Sequence, residues 1–326
     1  MMMSHIQMIL LAPDAYIWLL ALAMAILSLL AILLLRRSRR WLRWIPVLLV
    51  LAGWYVLLYG AFVGISQLKV RHVEFASKDL PAAFDGYRIV QFSDAHVGSY
   101  GGWRQEYLRR AVDSINAQRA DLIVFTGDLQ NKQASDIAPY GQLLSGLKAA
   151  DGVYSVLGNH DYPMYIDVDA YQKEQLLVET CEAEERLGWK LLVNSHRFLY
   201  HGGDSIVIAG MENDGEGRFP QLGNIPRSLF GLNTKSFVVM LEHDPTAWRR
   251  KILPRSHCQL TLSGHTHGGQ FELLGWTPAQ ARYREYGGMY YMGERALNVS
   301  SGLNGVIPIR FGVAPEIVVI TLKQKK

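Results

Sequence analysis

The stretch Gly264-His265-Thr266-His267-Gly268-Gly269-Gln270 closes a short apolar run, 260–262, and carries two imidazoles two residues apart. Four similar clusters stand upstream: Asp94-Ala95-His96, Gly127-Asp128, Gly158-Asn159-His160-Asp161 and Glu242-His243-Asp244-Pro245. Each follows an apolar run of its own, at 87–92, 122–126, 153–157 and 237–241, and a further run lies at 206–209. Short runs rich in Val, Ile, Leu, Phe and Tyr, closed by Gly or Asp, read as buried strands. The alternating segment 70–75 reads as an edge strand. Between them, 103–119 repeats Leu108, Ala111, Val112 and Ile115 on one helical face. A second helix is expected over 169–187, with Leu177, Cys181 and Leu187 inward and Gly188 as its stop. Strands alternating with helices predict an α/β fold with ligands at the carboxyl ends of the strands. The Gly-, Asn- and Pro-rich segment 213–235 is expected to loop over or beside the site.

The five clusters together offer two carboxylates, one amide and four imidazoles, the donor set that two neighbouring divalent ions need. Two-metal phosphoester hydrolysis holds its ions about 3.5–4 Å apart, where they repel strongly. Asp128 is the candidate bridging carboxylate that reduces this repulsion. Asp94 and His96, two residues apart just past a strand, can turn toward one ion. Asn159 adds a neutral oxygen, and His243, His265 and His267 add neutral nitrogens. Two carboxylates against two divalent ions leave a net charge of about +2, which draws in an anionic phosphate. His-rich coordination favours Mn, Fe, Zn or Co over Mg alone. His160 follows a ligand position directly. The adjoining Asp161 is expected to favour its imidazolium, which would stabilise the transition state or protonate the leaving alkoxide. Asp161 itself either orients His160 or caps the turn.

These residues resemble the calcineurin-like metallophosphoesterase superfamily. All five blocks stand in order with that family's spacing, over 87–267. The form GHTHGGQ, with the later Gly302, Pro308-Ile309-Arg310 and Pro315-Glu316-Ile317, looks like the bacterial membrane-anchored phosphodiesterase branch. The resemblance implies a two-sheet β-sandwich flanked by helices. It implies Asp94, His96, Asp128 and His267 around one metal and Asp128, Asn159, His243 and His265 around the other. His160 would then face the leaving group, with Asp161 supporting it. Glu242 departs from the family, which has a smaller or polar residue there. It would either add a charge behind the ligands or be exposed.

The chain has 326 residues, 49% hydrophobic, and a net charge of +4. Residues 16–35 and 45–64 contain no charge, and twenty helical residues span about 30 Å, the thickness of a bilayer core. Tyr16, Trp18, Trp41 and Trp44 flank these runs, and aromatic residues favour the headgroup level. We therefore expect residues 1–66 to form a transmembrane hairpin and 67–326 one phosphoesterase domain. The five arginines of 36–43, against the single acid Asp14, account for the whole +4; 28 basic and 28 acidic residues follow Ser66. A neutral domain offers no electrostatic case for nucleic acid. Positive loops stay cytoplasmic, so the amino terminus and everything after Gly64 are expected outside, on the extracytoplasmic face of the cell's inner membrane. Ser38-Arg39-Arg40-Trp41-Leu42-Arg43 loosely resembles a twin-arginine export signal, which sends the domain the same way. The expected function is metal-dependent hydrolysis of a phosphodiester or pyrophosphate, in a phosphorylated small molecule or a lipid of the cell envelope. The rivals are a small-nucleotide phosphoesterase and a catalytically silent metal-binding module on the membrane.

Other residues are expected to be ordinary. Cys181 and Cys258 form no CxxC pattern and read as two unpaired buried thiols. His5, His72, His196, His201 and His257 lie outside every block. Asp244 with Pro245 reads as turn chemistry. Arg310 reads as a structural salt bridge, with a phosphate clamp as the alternative. Trp276, Tyr283, Tyr286, Tyr290 and Tyr291 read as loop packing, or as a substrate groove near the membrane. Gly53, Gly60 and Gly64 permit close helix packing.

Overall fold

The computed structural model describes residues 13–35 and 44–325. The arginine loop, Trp41, His5 and Lys326 lie outside them, and with them the twin-arginine-like sequence. Two six-stranded sheets stack face to face. The first has the order β1 (Lys69–Ser77), β12 (Glu316–Gln324), β2 (Arg88–Phe92), β3 (Leu122–Phe125), β4 (Val153–Ser155), β5 (Lys190–Leu191). The second runs β10 (Gly288–Met292), β11 (Arg295–Val299), β9 (Leu260–Ser263), β8 (Val238–Leu241), β7 (Asp204–Gly210), β6 (Ser195–His201). In each sheet the central strands are parallel: β2, β3 and β4 in the first, β7, β8 and β9 in the second. Their carboxyl ends therefore open at one end of the sandwich.

Three apolar layers fill the interior. Ile89, Val124, Val156, Ile208, Val239, Leu262 and Ile320 interleave between the sheets. Val90, Phe92, Ile123 and Phe125 turn outward under Leu108, Ala111, Val112 and Ile115 of α3 (Gln105–Ala117) and Leu144 of α4 (Gly141–Leu144). Val207, Val238 and Met240 turn outward beneath Ile225 of α6 (Ile225–Ser228) and the Trp248–Ile252 turn that runs into α7 (Leu253–Arg255). Strands covered on both faces need no alternation, which is why they read as unbroken apolar runs. α5 (Ala170–Arg186) begins in a capping box between Asp169 and Gln172 and stops before Gly188, whose φ is +81°. Its buried face is Thr180, Ala183 and Glu184, with Leu187 just beyond; Leu177 and Cys181 are only half-buried, a small rotation from the expected face. Cys258 is buried, and both thiols are free.

Two long apolar helices precede the sandwich. α1 (Pro13–Leu35) and α2 (Trp44–Leu58) pack together, and α2 continues through a π turn at Tyr59–Val63 into a 3-10 turn at Gly64–Ser66. Trp54 Nε1 donates to Ser28 Oγ at 3.2 Å, and a Cβ on Gly53 would meet the Met24 methyl at 2.5 Å. Their outer side chains, such as Leu22, Leu30, Leu48 and Leu51, are exposed, as lipid-facing residues are. Gly60 and Gly64 serve another contact. A Cβ on Gly64 would lie 1.8 Å from the Arg310 carbonyl, and Arg310 N donates to the Gly60 carbonyl at 3.1 Å. Only glycine lets α2 press this closely on the sandwich.

Candidate active site

All five sequence blocks leave parallel strands at the open end of the sandwich. Asp94 and His96 follow β2, Asp128 follows β3, Asn159 to Asp161 follow β4, His243 follows β8, and His265 and His267 follow β9. Five of these residues have left-handed backbone: Asp94 (φ 50°), His96 (42°), Asp128 (62°), His265 (72°) and His267 (52°). Non-glycine residues seldom adopt that region, and its strain persists only where surrounding structure imposes it. Here the reversal points each side chain back over the strand ends. Interstrand bonds impose it: Asp94 N donates to the Gly127 carbonyl, His96 N to the Asp128 carbonyl and Gly264 N to the His243 carbonyl.

The side chains meet in two groups that share one residue. Ligand atoms of Asp94, His96, Asp128 and His267 lie within 4.8 Å of one another, and so do those of Asp128, His243 and His265. Asp128 Oδ2 sits between the groups, 3.6 Å from His96 Nε2 and 3.3 Å from His243 Nε2. Its Oδ1 accepts from His160 N at 2.7 Å. The second group also has the Asn159 amide, whose nitrogen donates to Tyr165 Oη at 3.0 Å.

The donor atoms suit metal ions. Both ring nitrogens of His96 and Oδ1 of Asn159 are buried without a hydrogen-bond partner. Buried polar atoms are rarely left so, and all three belong to the expected ligand set. The imidazoles are fixed through their remote nitrogens: His243 Nδ1 on the Thr126 carbonyl at 2.6 Å, His267 Nδ1 on the Asn304 carbonyl at 3.0 Å. Such bonds set the tautomer and free Nε2 for a ligand. His265 turns Nδ1 toward His243 at 3.2 Å and places Nε2 on Tyr283 Oη at 2.9 Å. Burial, before any charge, pushes His265 and His267 down to about 4 and His96 well below its usual value, so these rings are neutral. Burial lowers His243 too, but Asp128 and Asp94 outweigh it and hold its pKa well above the usual value. The carboxylates thus call for positive charge at that position. Asp128 responds in kind: burial raises it, yet the imidazoles led by His243 and His160 bring it well below the carboxylate range.

Of the two roles expected for Asp161, the structure shows the backbone cap and not the support of His160. Its carboxylate accepts four backbone N–H groups: Asp128 at 2.7 Å, Gly158 at 2.8 Å, Leu129 at 2.9 Å and Gln130 at 3.3 Å. It clasps the loops after β3 and β4 and has neither oxygen left for His160. Burial and the Asp128 charge push it up to about 7, against the pull of the Gly158 and Gln130 donors. His160 rests instead on the Asn131 carbonyl through Nδ1 at 2.8 Å, with its ring stacked on Tyr165. Burial lowers its pKa despite Asp128, so the resting ring is neutral rather than the expected imidazolium.

Glu242 is not exposed but lies behind the ligands. It is wholly buried, accepts from Asp214 N at 2.6 Å, and burial raises its pKa well above normal. Arg310 is neither a salt bridge nor a clamp. It is buried and donates to the carbonyls of Ser301 at 2.8 Å, Ala314 at 3.3 Å and Asn304 at 2.5 Å, the last being the acceptor that also fixes His267. Asp244 does make the expected turn, accepting from Thr246 N and Oγ1, but its other oxygen stands 3.4 Å from His265 Nε2. The aromatic cluster divides: Tyr283 reaches His265, whereas Trp276 and Tyr291 are more than half exposed. His72, His196, His201 and His257 stay outside both groups.

Above the groups opens a cleft of about 520 Å³ lined by Asp128, Asn159, His160, Tyr165, Arg218, Phe219, His265, His267, Tyr283, Val306, Ile307 and Tyr16. The segment 213–235 thus supplies a wall, through Arg218 and Phe219. Tyr165, Arg218 and Phe219 stand outside the metal-type motifs, and no spacing signals them. Tyr16 arrives from the first turn of α1.

A family model described as calcineurin-like phosphoesterase matches residues 87–269. The metallophosphoesterase YkuE of Bacillus subtilis is 35% identical over 259 residues, covering 75% of this chain and 82% of its own length. A zebrafish (Danio rerio) protein described as a transmembrane protein with metallophosphoesterase domain is 31% identical over 276 residues, 82% of this chain. The chain spans only 60% of that relative's length. Among solved structures, TT1561 of Thermus thermophilus aligns with a TM-score of 0.42 at 15% identity, over 67% of this chain and 90% of that one.

Proposed function

The chain belongs to the calcineurin-like phosphoesterase family and carries its metal-dependent phosphoester hydrolase domain; from this we propose that it is a membrane-anchored dinuclear enzyme cleaving a phosphodiester or pyrophosphate in a lipid or other cell-envelope molecule. Asp94, His96, Asp128 and His267 would hold one ion, and Asp128, Asn159, His243 and His265 the other. When bound, such ions polarise phosphoryl oxygens and lower the pKa of water.

The chain's own residues do the rest. Arg218 on the cleft wall adds positive charge beside the phosphoryl group. His160 moves the proton. Its Nδ1–H is committed to Asn131, so Nε2 is the atom that takes up a proton. An anionic substrate raises its proton affinity, and Nε2 then delivers the proton to the departing oxygen. Tyr165, stacked on the ring, keeps its plane.

The observation that carries the substrate class is the cleft rim. Tyr16 of α1 lines one side, and Val306 and Ile307 line another, in the loop that rests on Gly60 and Gly64 of α2. A substrate reaching the ions therefore passes along the membrane anchor, residues 1–66, at the edge of domain 67–326. The five arginines between the two apolar helices favour the extracytoplasmic face for that domain. Purified, metal-reconstituted protein should hydrolyse bis(p-nitrophenyl) phosphate, and a phospholipid diester or pyrophosphate in vesicles faster than its short-chain analogue. Asp128→Asn should lower kcat/KM by more than about 10³-fold, and His160→Ala by about 10²–10⁴-fold. Turnover that survives both substitutions would sink the mechanism, and equal rates on vesicle and short-chain substrates would sink the lipid reading. A reporter fused after Lys326 that is active only in the cytoplasm would reverse the orientation.

A further inference from the structure

Outside α1 and α2, one turn gathers large apolar side chains in the open. Leu273, Leu274 and Trp276 are 52%, 99% and 54% exposed within four residues. Leu273 and Trp276 close the turn with two backbone bonds, and Leu274 and Gly275 form its apex at φ +53° and +79°. Turns of this shape suit Asn or Gly at such positions. A leucine there is strained, and in water its side chain gains nothing by exposure.

The turn is fastened to the membrane anchor. The Phe271 ring stacks on Phe311 at 5.5 Å, and Glu272 N donates to the Phe311 carbonyl at 2.7 Å. Phe311 in turn meets Tyr55 and Tyr59 of α2 edge-on at 6.2 and 5.6 Å. Depth along α2 follows from helix geometry. At about 1.5 Å per residue, Tyr55 and Tyr59 lie about 16 and 22 Å from Trp44. A hydrocarbon core about 30 Å thick that begins at the Trp44 headgroup level still surrounds both tyrosines. Phe311 thus joins the segment that carries the turn to α2 at lipid depth.

We infer that the turn 273–276 inserts into the bilayer that α1 and α2 cross, as a third membrane contact. Leu273, Leu274 and Trp276 occupy the boundary between headgroups and acyl chains. This contact sets the tilt of the sandwich. Gln270 and Ile307, joined by the bond from Gln270 Nε2 to the Ile307 carbonyl at 2.8 Å, line the cleft just above it, so its mouth is held at the lipid surface. The inference rests on α1 and α2 being membrane spans and is independent of the substrate.

The test uses the full chain in lipid vesicles, with Cys181→Ser and Cys258→Ser as background and one spin label at a time, introduced through Leu274→Cys, Leu30→Cys or Tyr200→Cys. Leu30 lies on the lipid side of α1, and Tyr200 is exposed on β6, at the sheet edge farthest from β10. The label at 274 should collide with oxygen several-fold more, relative to a water-soluble nickel chelate, than the label at 200. Nickel access at 274 equal to that at 200 overturns the inference while shielding at 30 keeps the span reading. Protection of 274 from both reagents, as in a protein contact, overturns it as well. Nickel access at 30 overturns the span reading and the inference together.

Discussion

The loops closing the two sheets build the site by different means. Those after β2, β3 and β4 supply both carboxylates, the amide and His96, and backbone N–H groups tie these loops together: four donors on Asp161, and His160 N on Asp128. Those after β8 and β9 supply only imidazoles, each fixed by what its remote nitrogen touches: Thr126, Asn304, or Tyr283 with Asp244 nearby. The first side is tied into the fold's own hydrogen bonding. The second is tuned by single contacts. Damage to the first should therefore unfold as well as inactivate, and damage to the second should spare the fold.

The largest effect is expected from Asp161→Ala. It strands the N–H groups of Asp128, Gly158, Leu129 and Gln130, at about 1–3 kcal/mol for each donor that water cannot reach. Chemical denaturation should show a loss of at least about 3 kcal/mol, with activity lost in parallel. Full stability with reduced activity would instead make Asp161 a catalytic group and erase the contrast. Tyr283→Phe probes the second side. Removing the hydroxyl on His265 should weaken metal binding by about 10-fold, measured by titration of the apo-protein, with stability within about 0.5 kcal/mol of the parent. A destabilised variant with intact metal affinity would break the comparison from the other end.

The smallest effect concerns Glu184, buried in α5 behind the first side. Burial first, and the Asp161 charge second, raise its carboxyl well above the usual range. An acid raised in the folded state contributes most stability below its unfolded pKa, about 4.3, and loses that contribution as pH rises toward the folded value. Glu184→Gln should remove this loss. Its stability relative to the parent should grow between about pH 5 and about pH 6, by at most about 1.4 kcal/mol. A constant offset across that range would mean that Glu184 does not titrate as argued.

Much of the strand framework is legible because the central strands are covered on both faces and so appear as apolar runs that end in polar residues. β6 gives no such signal: its Ser-His-Arg-Phe-Leu-Tyr-His sequence buries Leu199 and leaves most of its neighbours in water. β10 and β11 form a hairpin whose outer strand is half-buried at Gly288, Met289 and Tyr290 and exposed at Tyr291 and Met292, and that gives no such run. For Asp161 the turn cap is legible as one of two roles but its reach is not, since no spacing reveals that a side chain will also turn onto the backbone of a loop 33 residues away. Arg310 misleads for a similar reason. An arginine's usual partners are carboxylates, and only packing shows three carbonyls converging on it.

By itself the sequence determined the chemistry: which donors are present, in which order, each at the end of a strand, and two apolar stretches long enough to cross a bilayer. These are local properties, fixed by residue type and spacing. Tertiary structure decided what each donor touches. It brought Asp128 between two groups, spread Asp161 over the backbone of two loops, seated Arg310 on the carbonyl that fixes His267, and set Phe311 between α2 and the 271–276 segment. Those outcomes depend on contacts between distant segments and on close approach at Gly64, and neither leaves a period or a motif in the chain.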